Sequence, residues 1–287
     1  SRSEGPLAEL KNIDGVTPTA GGYSRFEGKA LPGELAIVAT PTADLIGATE
    51  HMAALGFRKI MIEKPVSLWP SQMQVLADDM ELQGVEAACA YNRVAYPSSI
   101  ETRFRVEREG GITSCTYTFT EYVHRIGAGQ FPEDELARWG IANSLHVISM
   151  AHGLIGLPDS WAGFRTGSIP WHPSGSVFVG SGATVDGIPY SYHADWGSTG
   201  RWSVEIHSPI ASYRLCPIER IFTRTSATGA WDEFPLATFD SKLKAGFAEQ
   251  VAAMLIPEIR EIIPLVSLRQ AARLTEFAEQ VFGYPSA

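Results

Sequence analysis

The sequence is poor in cysteine, with Cys89, Cys115 and Cys216 alone among 287 residues. They are too few and too widely spread for a disulfide framework or a zinc motif. They suit a reducing, cytoplasmic setting in which each is a small buried hydrophobe. Basic charge is also short: 23 Lys and Arg stand against 32 Asp and Glu, a formal net charge of -9. That balance counts against a general nucleic-acid binder and leaves the charge of a small substrate open, because a local pocket can be basic. No apolar run approaches the ~20 residues of a membrane-spanning helix, and no leader-like segment opens the chain. His172, His193 and His207 lack ligand spacing, so no metal is expected. Without a G-x-S-x-G elbow, a hydrolase reading has little support.

Apolar residues make up 45% of the chain, enough for a sizeable core and one or two domains. ELAIVAT (34–40) is a nearly continuous apolar run and reads as a strand buried on both faces. Helical spacing follows over 44–55, a second buried strand over 58–65, a helix over 67–84 and a third strand over 85–92. Alternating strands and helices of this kind predict a parallel sheet. The pattern then changes. A polar helix over 97–108 leads to a Thr- and Tyr-rich strand over 111–122, and a further helix covers 141–155. Several strand-like runs between 160 and 222 suggest a meandering antiparallel sheet. Two amphipathic helices, 244–254 and 267–282, close the chain. The expected fold is α/β: a partial Rossmann parallel sheet over 1–93, then an α+β domain with a large open antiparallel sheet over 94–287.

Three features occur in order: ATPTADL (39–45) at one strand end, EKP (63–65) at the next, and WGIANSLHVISMAHGLIG (139–156) on a helix beyond the fold switch. Together they resemble the glucose-fructose oxidoreductase, inositol dehydrogenase and rhizopine-catabolism superfamily, Gfo/Idh/MocA, over nearly the whole chain. The resemblance implies a Rossmann domain binding NAD or NADP, and a second domain whose sheet walls the substrate site and often serves as an oligomer interface. It makes Lys64 the EKP lysine and His146 the substrate-helix histidine. Thr40 and Pro41 become the strand end along the cofactor, and Asn92 and Arg93 a segment near nicotinamide and substrate. The sequence departs from the family at Leu45, where a His is usual, at Ala142, where an acid is common, and at Ser149, where Asp is frequent.

The residues support part of this chemistry on their own. Oxidising an alcohol needs a base for the hydroxyl proton and neighbours that orient the substrate. A lysine at the C-terminal end of a parallel strand sits where ligands bind in open sheets, and partial burial lowers its pKa. Glu63 beside it can position it or contact the cofactor ribose. Asn143 and His146 lie three apart, on one side of a helix. His124, in the loop VHRIGAGQF, can cover a substrate anion. The ordinary alternatives are an exposed lysine after a strand, a satisfied core histidine, a hinge salt bridge at Arg93 and a surface loop around His124.

The G-x-G-x-x-G turn that seats a dinucleotide pyrophosphate on a helix N-terminus is missing, and Gly21 and Gly22 do not open a helix after a buried strand. The opening SRS resembles the end of the family's second strand. On that reading Ser1 and Arg2 contact the adenosine ribose or its 2′-phosphate, and a strand-turn-helix unit of about 30 residues is absent before it. The expected function is an NAD(P)-dependent oxidoreductase acting on a sugar, polyol or nucleotide-sugar, a homodimer or homotetramer through the antiparallel sheet. The expectation includes no nucleic acid and no membrane. The alternative is a non-catalytic sugar- or cofactor-sensing regulator on the same fold.

Overall fold

The computed structural model describes residues 7, 10, 13–31, 33–126, 129–236 and 244–286. Strands β1 (Leu35–Val38), β2 (Lys59–Ile62) and β3 (Glu86–Cys89) pair in parallel, Ile37 opposite Met61 and Met61 opposite Ala88. Parallel neighbours need a crossover, supplied by helices α1 (Leu45–Ala54) and α2 (Pro70–Leu82). Pro70 opens α2, where its missing N–H costs nothing. The face toward these helices is a dry core that includes Ala36, Val38, Ile60, Ile62 and Met73.

The expectation that the first strand is buried on both faces is corrected: Ile37 is 59% exposed. Helix α6 (Phe247–Leu255) covers the opposite face only in part. Met254 packs on Met61, Ala88 and Ala90, but β1 lies at the sheet edge, where that cover ends.

The second sheet has eight strands in the order β11-β10-β9-β8-β4-β7-β6-β5. They are β4 (Ser114–Phe119), β5 (Pro158–Thr166), β6 (Val177–Thr184), β7 (Pro189–Asp195), β8 (Trp202–His207), β9 (Ser212–Leu215), β10 (Ile221–Arg224) and β11 (Asp232–Phe234). Its ladders are antiparallel apart from one parallel pair, β4 with β7. A long connection containing α4 (Glu133–Ala137) and α5 (Leu145–Ile155) follows β4, so no hairpin fixes its partner and it inserts between β7 and β8. Along β7 the period of two is plain: Tyr190, Tyr192 and Ala194 are buried, while Ser191 is half-buried and His193 exposed. The buried face meets α5 and α8 (Leu268–Phe282), with the Phe277 ring 6.1 Å from Tyr190 and 6.0 Å from Tyr192.

Helix α3 (Pro97–Arg108) falls where the sequence predicts it. Between the two expected closing helices lies a further short one, α7 (Pro257–Ile262), too brief to leave a periodic signal. Then β12 (Val266–Ser267) pairs antiparallel with β3, and Ser267 and Gln270 form a capping box that starts α8. The boundary expected near Arg93 falls in a 3₁₀ turn, Asn92–Ala95, and β12 and α8 bring the chain back to the first sheet. Among the described residues no helix is long and apolar enough to cross a membrane.

Candidate active site

Parallel strands in register end at one edge, so the residues following β1, β2 and β3 converge. After β2, Glu63 continues the ladder through its N–H to the Val38 carbonyl at 2.8 Å. Its carboxylate accepts the Lys64 N–H at 2.8 Å, and so orients the start of the next turn. The Lys64–Pro65 peptide is cis and Val66 has φ 62°. A β-branched residue in the left-handed region costs on the order of 1–3 kcal/mol, and Val66 is held there fully buried. Lys64 Nζ donates to the Ala142 carbonyl at 2.8 Å. Burial holds its pKa below the ordinary lysine range; Arg93 pushes the same way and Glu63 opposes.

After β3, Asn92 is buried and donates to the Ala245 carbonyl at 3.0 Å. Gly246, φ 83°, lets the start of α6 approach this closely, since a side chain there would collide with the Asn92 carbonyl. Asn92 in turn accepts from Arg93 Nη1 at 2.8 Å. The same Nη1 lies 2.6 Å from His146 Nδ1 and 3.0 Å from Nε2. The Arg93 guanidinium also lies over the Trp202 ring, 5.4 Å from its centroid, while its Nε is buried with no partner. His146 is buried, and its pKa is depressed far below the usual imidazole range by desolvation, then by the charges of Lys64 and Arg93. It is neutral at any ordinary pH.

The third side of the site comes from the segment before α5. The sequence predicts one helix over 141–155, but Gly140–Ser144 is a π turn and α-helix begins only at Leu145. Wide turns of this kind occur frequently at functional sites. The turn is fixed from below: Gly140 packs so closely on Phe282 that no side chain fits, and its N–H donates to the Tyr284 hydroxyl at 2.9 Å. Arg138, just before it, is buried in an ion pair with Glu279 of α8. From above, Glu121 accepts from Asn143 Nδ2 at 2.9 Å and from Ser144 Oγ at 2.6 Å. Burial pushes the Glu121 carboxyl up to about 7, although its hydrogen bonds, those from Ser144 and Asn143 foremost, pull it down.

Lys64, Asn92, Arg93, Asn143 and His146 thus fall into two hydrogen-bonded groups, Asn92–Arg93–His146 at the hinge and Lys64 with Asn143 on the π turn. His124 belongs to neither: it sits exposed in the turn Val123–Arg125, its ring edge-on to Tyr122. Ser1 and Arg2 lie outside the described residues. His152, farther along the same helix, is core, bonded to the Gly156 carbonyl and the Tyr117 hydroxyl. Glu121 and Trp202 escape the sequence reading. Neither belongs to a motif, and only contacts across the fold reveal them.

Thr40 and Pro41 border a cavity of about 530 Å³ together with Gly22 and Tyr23. A second cavity of about 310 Å³ lies on the other side of β1, between Ile37, Glu63 and the Phe247 end of α6. The Thr40 hydroxyl is buried with no hydrogen-bond partner, as expected of a group that waits for a ligand. These residues fit the part of a dinucleotide that lies along strand ends. Among the described residues no Gly-rich helix start is present for its phosphates. No group of three His, Cys, Asp or Glu among them is placed to hold a metal ion.

No family model matches the sequence, and no curated protein does. Solved structures match the fold. The super-repressor mutant of Gal80p from Saccharomyces cerevisiae superposes with a TM-score of 0.66 at 13% identity, covering 87% of this chain and 77% of that one. UDP-N-acetylglucosamine 3-dehydrogenase GnnA from Acidithiobacillus ferrooxidans gives 0.63 at 14% identity, with the same coverage. Levoglucosan dehydrogenase in complex with NADH and L-sorbose gives 0.65 at 16% identity, covering 86% of this chain and 76% of that one. With a parallel sheet ending in Lys64 and an eight-stranded sheet behind His146, the chain has the fold of the Gfo/Idh/MocA oxidoreductases.

Proposed function

We propose that the protein is an NAD(P)-dependent oxidoreductase that moves a hydride to or from a sugar, polyol or nucleotide-linked sugar, with Lys64 as the acid/base. The observation that carries this reading is the Lys64 amine: desolvated, lowered in pKa and held at 2.8 Å on a carbonyl beside His146. A lysine so placed can stand neutral and take a hydroxyl proton, or return it to a forming alkoxide. Thr40, Pro41, Glu63 and Lys64 would hold the nicotinamide cofactor, which when bound supplies the hydride acceptor or donor.

His146 acts as a neutral hydrogen-bond partner. Arg93 can only donate, so the ring nitrogen it binds, nearer at Nδ1, is the unprotonated one. Asn92 and Arg93 shape the pocket from the hinge and Asn143 from the π turn. NADH-bound levoglucosan dehydrogenase supports a sugar-like substrate. The same reading includes two domains meeting near Arg93 and a cytoplasmic location. It also includes a homodimer or homotetramer through the outer face of the large sheet, where Phe164 is 67% exposed.

A second reading, a sugar- or cofactor-sensing regulator without turnover, is favoured by the likeness to a Gal80p super-repressor. Titration with NADH and NADPH, followed by nucleotide fluorescence, should show micromolar binding; no binding overturns the oxidoreductase and the cofactor-sensing regulator alike. Lys64→Met should leave binding intact and abolish turnover. Turnover that persists removes Lys64 from the acid/base role, and binding with no turnover in the unaltered protein favours the regulator.

A further inference from the structure

Glu121 lies two residues beyond β4 and its carboxyl is buried, with 5% of the residue exposed. Among the described residues it has no ion-pair partner within salt-bridge reach, which makes it an expensive group to bury for packing alone. Both oxygens are committed, Oε1 to Ser144 and Oε2 to Asn143. These are the last two residues of the π turn Gly140–Ser144. One residue earlier, the Ala142 carbonyl receives the Lys64 amine. The near end of the turn is bonded to Tyr284 and the far end to Glu121, so the carbonyl between them stands where those two anchors put it.

We propose that Glu121 is a positioning residue for Lys64: through Asn143 and Ser144 it holds the π turn whose Ala142 carbonyl aims the lysine amine into the site. The proposal rests on the reading of Lys64 as acid/base. Ionised Glu121 accepts from both donors at once. Protonated, it brings a hydrogen of its own between them, and one of the two bonds must turn or break. The carboxyl, raised to about 7 by burial, makes this change near neutral pH. The charged and titratable groups around it are Arg93 from the hinge, Tyr284 from beneath, His146 along α5, and Tyr122, Arg201 and Glu219 around the adjoining cavity of about 300 Å³.

The test reads Lys64 directly in the free protein. Carbamylation of its amine by cyanate, followed by mass spectrometry across pH 5 to about 10, reports amine exposure and ionisation. The unaltered protein should show an inflection near pH 7 on top of the lysine titration. Glu121→Gln should lose that inflection while keeping its circular dichroism. Its kcat should fall about tenfold with KM nearly unchanged, the effect of a misplaced group rather than a lost contact. Ser144→Ala, which removes one donor with little change in volume, should shift the profile in the same direction by less. Profiles of folded Glu121→Gln and Ser144→Ala that superpose on the unaltered protein's overturn the proposal. That outcome leaves the acid/base reading untouched, because that reading is tested by turnover in Lys64→Met.

Discussion

The two sheets bring chemistry to the same place by different geometry. In the first sheet β1, β2 and β3 run the same way, so Thr40, Lys64 and Asn92 each follow a strand end and meet at one edge. In the large sheet neighbours mostly run in opposite directions. Phe119, the last residue of β4, pairs with Trp202, the first of β8. Glu121 and Trp202 therefore border one cavity although one follows a strand and the other begins one. The parallel half places residues by the backbone. The antiparallel half places them by a buried polar network: Arg138 on Glu279, Gly140 on Tyr284, Asn143 and Ser144 on Glu121.

The largest effect should come from breaking that network. Glu279→Ala leaves Arg138 buried without its carboxylate, and removal of one member of a buried pair costs about 3–5 kcal/mol. Urea unfolding that loses less than about 1 kcal/mol would show that the network does not anchor this half. A smaller, pH-dependent effect also belongs to this half. His152 and His172 are held down to about 4 by burial, and His146 lower still. The unfolded chain protonates its histidines near 6.5 and the folded chain does not. Their contribution is complete above pH 6.5 and is lost as pH falls from 6.5 toward 4. The urea midpoint should drop across that window, with a shallower slope in His152→Gln; equal slopes would exclude His152 as a source. The smallest effect is expected at the open edge of the parallel sheet. Ile37→Thr should stay within about 0.5 kcal/mol, because the side chain is mostly in solvent. A large loss would mean that another surface covers β1.

Legibility in the sequence follows the same division. Each parallel strand announces itself by an apolar run and a turn, and EKP marks its own strand end, so Lys64 stands out in the sequence itself. His146 was visible as a polar residue on an apolar helix. Arg93 contacting His146 was not, because the two are 53 positions apart and no local spacing encodes the contact. Glu121 was invisible for a similar reason: a single acid after a Thr-rich strand looks like surface until Asn143 and Ser144 close over it. The π turn looks like ordinary helix in the sequence, since one extra residue in a turn barely disturbs the apolar periodicity. The exposure of Ile37 was hidden because an apolar run does not say how far a covering helix reaches.

The return of β12 and α8 to the first sheet also sets an order of assembly. Met73 on α2 meets Thr275 on α8, 202 positions later. During synthesis α2 emerges long before the helix that covers it, and β3 waits for Val266 and Ser267 to take its free side. Contacts of such sequence separation are slow to form and leave apolar surface open meanwhile. The half of the molecule easiest to read from its sequence is therefore the half that cannot finish folding first.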